Sequence, residues 1–241
     1  MKTNLFIIGG QRCGTTWLCN QLDLCPSVNL LKPVAPETKY FLNDEVNHKE
    51  YMNLFDNSSG NILLEKATTY IERPDAALKI KSLYPDAKII ICLRDPVERA
   101  LSNYFFSHNN GLETRTLEEV FLKNKHLYPA PEVDLSKFST NPFDYLQRGL
   151  YSEYISEYLK IFPKKQIMVT FMEDFTKVPR RFYEIVTWIG AHHYPRLSSA
   201  QNSSFRKKVN LDIISHLKNY YIEDTNNLIN DFDLEPPYAN Q

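Results

Sequence analysis

Residues 6–18 read FIIGGQRCGTTWL: an apolar run, three glycines and the start of an amphipathic stretch. Gly9, Gly14 and Thr16 stand at the spacing of the nucleotide-triphosphate loop G-x-x-x-x-G-K-[ST], but Thr15 takes the lysine's place. In a loop of this shape backbone N–H groups converge on an anion, and the helix that follows adds partial positive charge. Gly9, Gly10 and Gly14 allow the tight path, and Thr15 and Thr16 can donate hydroxyls to phosphate oxygens. Without the lysine, hydrolysis of ATP or GTP is disfavoured, and Arg12 is the side-chain cation left inside the loop.

A second anion site is written in IICLRDPVERALSNYFFSH, residues 90–108. A terminal phosphate calls for a forked guanidinium and a short hydroxyl donor. Arg94 supplies the first at the end of a strand, and Ser102 the second, two turns into a helix. Arg99 is read as supporting the fold through a salt bridge.

These residues need a scaffold. Residues 5–9, 61–66, 87–93 and 166–171 are near-continuous aliphatic runs, as strands covered on both faces require, and 27–31 is a candidate fifth. Helices are expected at 15–24, 47–55, 74–84, 97–108, 150–162, 179–189 and 209–230. Asp95-Pro96 is a good helix start, with Asp as N-cap and Pro in the first position. Glu173 and Asp174 mark another. The alternation predicts an α/β fold: one P-loop-like domain over 1–241, a parallel sheet of about five strands, and helices on both faces. Ligands then bind at the C-terminal ends of the strands. Residues 109–147 break the alternation with three prolines and a weak helix at 116–124, and suit a lid or acceptor wall.

The chain has 241 residues, 43% hydrophobic and 24% charged, with a formal net charge of −1, so it has no global basic field and is not read as a nucleic-acid binder. Any anion site must be local. Cys13, Cys19, Cys25 and Cys92 form no C-x-x-C pair and no zinc spacing, which suits reduced thiols in a cytoplasmic protein. No metal site is expected. No stretch is long enough to span a bilayer and no signal-peptide cleavage site is visible. The sequence leaves a homodimer open.

The loop GGQRCGTTWL resembles the 5′-phosphosulfate loop G-x-[QR]-[KR]-x-G-T-T-x-L of sulfotransferases that use 3′-phosphoadenosine 5′-phosphosulfate (PAPS). Arg94, Asp95, Pro96, Arg99, Ser102 and Tyr104 match that family's 3′-phosphate motif R-[DN]-P-x-x-R-x-x-S-x-Y. The resemblance implies PAPS as cofactor, adenosine 3′,5′-bisphosphate as product and no metal. It implies that Gly10, Gln11, Arg12, Cys13, Gly14, Thr15, Thr16 and Trp17 hold the 5′ side, and Arg94 and Ser102 the 3′-phosphate. PETKYF (36–41) is similar to the K-E-x-x-F-F stretch of heparan-sulfate-type members, which places Glu37 as the general base. The family's preceding lysine is Pro36 here, with Lys39 as a substitute cation. LLEKATTYI (63–71) is similar to E-K-[ST]-P-x-Y and places Lys66 beside the sulfate, so that Arg12 and Lys66 stabilise the leaving phosphate. QRGLYSEYISEYLKIFP (147–163) matches in R-G-x-Y, making Arg148 and Tyr151 neighbours of cofactor or acceptor. The element that closes over the adenine is replaced by QNSSFRKKVNL (201–211), where Arg206, Lys207 and Lys208 offer charge and Phe205 an aromatic face.

The expected function is sulfuryl transfer to an acceptor hydroxyl or amine. One rival is a P-loop kinase or other NTPase, against which the missing lysine weighs. Another is a catalytically inactive PAPS- or glycan-binding module, against which Glu37 and Lys66 weigh. His108 is the rival base. Near-neutral charge argues against a long polyanion as acceptor, and the tyrosines and phenylalanines of 104–106 and 128–151 favour a small molecule, lipid or short glycan.

Overall fold

The aliphatic runs form five parallel strands in one sheet: β1 (Thr3–Gly9), β2 (Val28–Leu30), β3 (Ile62–Lys66), β4 (Lys88–Leu93) and β5 (Ile167–Phe171), in the order β2-β3-β1-β4-β5. The computed structural model describes residues 2–56, 60–123, 130–134, 141–192 and 209–239. Its chain divides into two compact units, Met1–Arg94 with Glu153–Gln201, and Asp95–Ser152 with Asn202–Gln241.

The first unit holds the sheet. Parallel strands cannot be joined by tight hairpins, so the chain crosses over through helices. These are α1 (Thr15–Leu22), α2 (His48–Met52) and α3 (Pro74–Leu83). Strand pleat sends alternate residues to opposite faces. Leu5, Ile7, Ile62, Leu64, Ile90 and Cys92 share one buried cluster with Leu18 and Leu22 of α1 and with Phe182, Ile185 and Ile189 of α8 (Pro179–Ile189). On the other face Phe6 meets Phe41 edge-on at 5.5 Å and stacks on Tyr51 at 6.2 Å. The central β1 pairs with β3 on one side and β4 on the other, in a register that sets Ile7 opposite Lys66 and Gly9 opposite Cys92. Chain direction switches at β1, and the crevice at its C-terminal end is where such sheets bind ligands.

The second unit is helical: α4 (Pro96–Asn109), α5 (Leu117–Phe121) and α9 (Leu211–Phe232). Its core gathers Leu101, Tyr104, Phe105, Phe121, Tyr145, Ile213, Leu217 and Tyr221. Asp95 caps α4 by accepting from the N–H groups of Val97 and Glu98, as its Asp-Pro start predicts. Thr116 and Glu119 form a capping box on α5. Part of the 109–147 stretch is tied down by Glu113. Burial alone would raise this carboxyl, but bonds from Arg115 and from the Tyr145 hydroxyl at 2.9 Å hold it below its usual value. Asp224 of α9 accepts from the Tyr151 N–H and from the N–H and hydroxyl of Ser152, fixing the start of α6 (Tyr151–Ile161). Arg99 is buried, and its guanidinium donates to the Tyr145 carbonyl and to Asn103 Oδ1. Glu173 and Asp174 lie in the first turn of α7 (Met172–Lys177), as read. No helix among the described residues is long and apolar enough to cross a membrane.

Candidate active site

The glycine loop leaves β1 at Gly9, where φ is +145°. A Cβ there would lie 2.2 Å from the Cys92 carbonyl oxygen, so the approach of β1 to β4 excludes any side chain. The Cys13 N–H bonds to the Gly10 carbonyl at 3.1 Å and closes the turn. Gly14 then caps α1 in the left-handed region and offers no side-chain bond to the first-turn amides. Arg12 is also left-handed, at φ 76°, a conformation that costs a non-glycine residue about 1 kcal/mol or more. Thr15 is buried and Thr16 half-buried. The Cys13 and Trp17 side chains pack in the core, Trp17 stacking on Phe175 at 5.7 Å.

Arg94, at the end of β4, donates through Nη1 to the Arg12 carbonyl at 3.3 Å. Burial and then the positive charge of Arg94 push the Arg12 guanidinium below its usual pKa, with Cys13 opposing. Two guanidiniums close enough to disfavour each other are an arrangement that a bound anion relieves.

Beyond the loop, Lys66 ends β3 with its side chain 6% exposed. Its Nζ lies 3.0 Å from Glu37 Oε1 and donates to Thr16 Oγ1 at 3.1 Å. Glu37, 10% exposed, is held by more than this ion pair. Its Oε2 accepts from the Thr68 N–H at 3.1 Å, and the Thr68 hydroxyl reaches both carboxylate oxygens at 3.0 and 3.1 Å. The structure therefore joins three separately predicted residues, Thr16, Lys66 and Glu37, into one hydrogen-bonded chain. Lys39, half-buried, stands in the left-handed region at φ 53°.

In the second unit Ser102 is buried on α4, and His108 is exposed at the C-terminal end of that helix, 5.8 Å from the Tyr104 ring. Arg148 is buried in the 3-10 turn Gln147–Gly149, ahead of the buried Tyr151. Phe205, Arg206, Lys207 and Lys208 lie outside the described residues.

Sequence reasoning gave no role to Thr68, which holds Glu37 from 31 residues away, or to Glu65, a residue 1% exposed on the aromatic face of the sheet. Glu65 stands at the first position of the E-K-[ST]-P-x-Y match, and an acid inside an otherwise aliphatic strand was a further signal. No local pattern marks Thr68.

A five-stranded parallel sheet with a glycine loop at the C-terminal end of its central strand defines an α/β protein, a class whose ligands bind at that end of the sheet. The chain belongs to the sulfotransferase family: the family model described as "Sulfotransferase domain" matches residues 2–225. It is 30% identical over 202 residues to the bifunctional heparan sulfate N-deacetylase/N-sulfotransferase 1 of Caenorhabditis elegans, a match covering 80% of this chain and 22% of that protein. It is 29% identical over 166 residues to the human heparan sulfate glucosamine 3-O-sulfotransferase 3B1, covering 67% of this chain and 39% of that protein. The chain thus spans well under half the length of these curated relatives. A sulfotransferase from Alicyclobacillus acidocaldarius has the same fold, with a TM-score of 0.81 at 23% identity over 100% of both chains.

Proposed function

We propose that the chain transfers a sulfuryl group from PAPS to a hydroxyl or amine of its acceptor, with Glu37 as general base. The observation that carries this is the chain Thr16–Lys66–Glu37, which ties the phosphate loop to a carboxylate. PAPS, when bound, supplies an activated sulfuryl group on a 5′-phosphate. The fit is supported by the glycine cradle at Gly9–Gly14 and by the Arg12–Arg94 pair, whose facing charges suit a phosphate. Gly10, Gln11, Gly14, Thr15 and Thr16 would hold the 5′ side. Arg94 would hold the 3′-phosphate, and its pairing with Ser102 rests on the sequence motif alone.

Donor and acceptor capacity decides what Glu37 and Lys66 can still do. A carboxylate offers about four lone-pair sites and an ammonium three N–H donors. The Thr68 hydroxyl has one proton, so it can satisfy only one Glu37 oxygen at a time. With Lys66 on Oε1 and the Thr68 N–H on Oε2, a lone pair remains to take the acceptor's proton. Lys66 directs two donors to Glu37 and Thr16, and its third is assigned to the bridging oxygen as charge builds there. Arg12 acts on the same charge from the loop.

The named relatives act on heparan sulfate, a polyanion. The net charge of −1 and the aromatic content of 104–106 and 128–151 favour an uncharged small molecule, lipid or short glycan here. Four buried free thiols suit a reducing cytoplasm. Thermal unfolding tests the donor. Adenosine 3′,5′-bisphosphate should raise the melting temperature without magnesium. Stabilisation by ATP or GTP with magnesium, and none by the bisphosphate, would replace this reading with the NTPase. A screen of hydroxyl- and amine-bearing compounds with radiolabelled PAPS then identifies the acceptor.

A further inference from the structure

The last two residues of β3 grip the same loop from opposite faces of the sheet. Pleat sends Lys66 toward α1 and Glu65 toward the aromatic face. Lys66 holds Glu37, as above. Glu65 Oε1 accepts from the Tyr40 N–H at 3.4 Å and from the Tyr70 hydroxyl at 2.7 Å. The Tyr70 hydroxyl accepts in turn from the Phe41 N–H at 2.9 Å. Tyr70 sits on the 3-10 turn Thr68–Glu72 that begins with Thr68, the residue holding the Glu37 carboxylate, and its carbonyl accepts from the Tyr158 hydroxyl at 2.8 Å. Residues 37–41 are therefore tied at both ends to residues 65–70.

We propose that Glu65 and Tyr70 are positioning residues, which hold the 37–41 loop over the end of β3 so that the Glu37 carboxylate stays aligned for proton transfer; this rests on Glu37 acting as the base. The loop's side chains are packed on the same face, the Tyr40 hydroxyl bonding to Asn47 and Glu50, but its backbone depends on few donors. Pro33 and Pro36 carry no N–H. The loop's own turn contributes the Leu42 N–H to the Lys39 carbonyl, while the N–H groups of Tyr40 and Phe41 go to the Glu65–Tyr70 pair. Glu65 is 1% exposed and Tyr70 0% exposed, among the rings of Phe41, Tyr51 and Tyr40. A carboxyl at such a place is disfavoured against an aliphatic side chain of the same size unless its hydrogen bonds are needed. Burial lifts the Glu65 carboxyl to about 7, against the bonds from the Tyr70 hydroxyl and the Tyr40 backbone, with Glu37 adding to the rise. A neutral amide at this position can accept the same two bonds through its oxygen.

The test compares Glu65→Leu, Tyr70→Phe and Glu65→Gln, alone and combined with Glu37→Gln. Turnover is read as release of adenosine 3′,5′-bisphosphate from PAPS with the acceptor found in the labelled screen, and binding as affinity for the bisphosphate. A misplacement of about 1 Å can cost roughly 10²-fold in rate. Glu65→Leu and Tyr70→Phe should therefore lower turnover by roughly 10- to 100-fold, with bisphosphate affinity within about twofold of wild type. Glu65→Gln should recover most of the loss. In the Glu37→Gln background neither change should lower turnover further, because residues acting as one unit are not additive. Wild-type turnover in Tyr70→Phe, parallel loss of turnover and bisphosphate affinity, or full additivity with Glu37→Gln would each overturn the positioning role. If Glu65→Leu does not fold, Tyr70→Phe and Glu65→Gln decide. Normal turnover in Glu37→Gln alone would remove the base assignment and the positioning role together. An inactive Glu37→Gln with a fully active Tyr70→Phe removes only the latter.

Discussion

At Lys66 and Arg12, binding and catalysis can be separated by experiment. In the roles proposed for them, their charge matters most once the leaving 5′-phosphate has gained its own. Lys66→Ala and Arg12→Ala should each lower turnover more than affinity for PAPS, while affinity for adenosine 3′,5′-bisphosphate, in which that charge is complete, falls with turnover. Normal turnover at saturating PAPS in either variant would end its assigned role. The role proposed for Arg94 differs, because a terminal phosphate carries its charge throughout. Arg94→Ala should weaken the bisphosphate by about 2–4 kcal/mol, roughly 30- to 1,000-fold, as titration calorimetry would show. Unchanged affinity would mean that the 3′-phosphate sits elsewhere.

Among the elements, the strands were legible and the loops only in part. The runs 5–9, 27–31, 61–66, 87–93 and 166–171 coincide with β1 to β5 within about two residues, because a strand covered on both faces reads as an aliphatic run whatever its neighbours. Helix ends with local chemistry, such as Asp95-Pro96, were equally readable. Helix 47–55 shortened to α2 (His48–Met52), where few apolar positions repeat. The left-handed Arg12 was hidden, since glycine is the expected carrier of that geometry. The grip of Thr68 on Glu37 and of Tyr70 on Phe41 joins residues about thirty apart, which no spacing rule reaches. The R-G-x-Y match shows the same limit: its glycine is required by α9. A Cβ on Gly149 would stand 2.6 Å from the Tyr221 ring, which is fixed by its hydroxyl donating to the Leu146 carbonyl at 3.0 Å. Gly149→Ala should destabilise by about 1–3 kcal/mol, the usual scale of overpacking. At about 2–4 °C per kcal/mol for a chain of this length, thermal unfolding should drop by several degrees. An unchanged melting temperature would show that the ring yields.

For the whole molecule, Glu65 ties stability to pH. Its carboxyl titrates near 4.5 when unfolded and about 7 when folded. Between those values the folded chain holds more protons than the unfolded one, so the contribution is full below about 4.5 and is lost as pH rises through about 7. Its size is on the order of 3 kcal/mol. Urea unfolding of wild type and Glu65→Gln across this window should show wild type losing stability relative to the variant as pH rises. Parallel pH profiles would refute it. The position of β1 has a further consequence, for synthesis. Strand β1, with Leu5 to Ile8 buried in the finished sheet, has both its sheet neighbours encoded later, and the second of them, β4, ends only at Leu93. At about 5–20 residues per second, that apolar segment waits roughly 4–17 s without its full complement of partners. Ribosome-stalled chains ending before β4 should bind holdase chaperones and be cut readily by protease, whereas release of later stall points should reduce both.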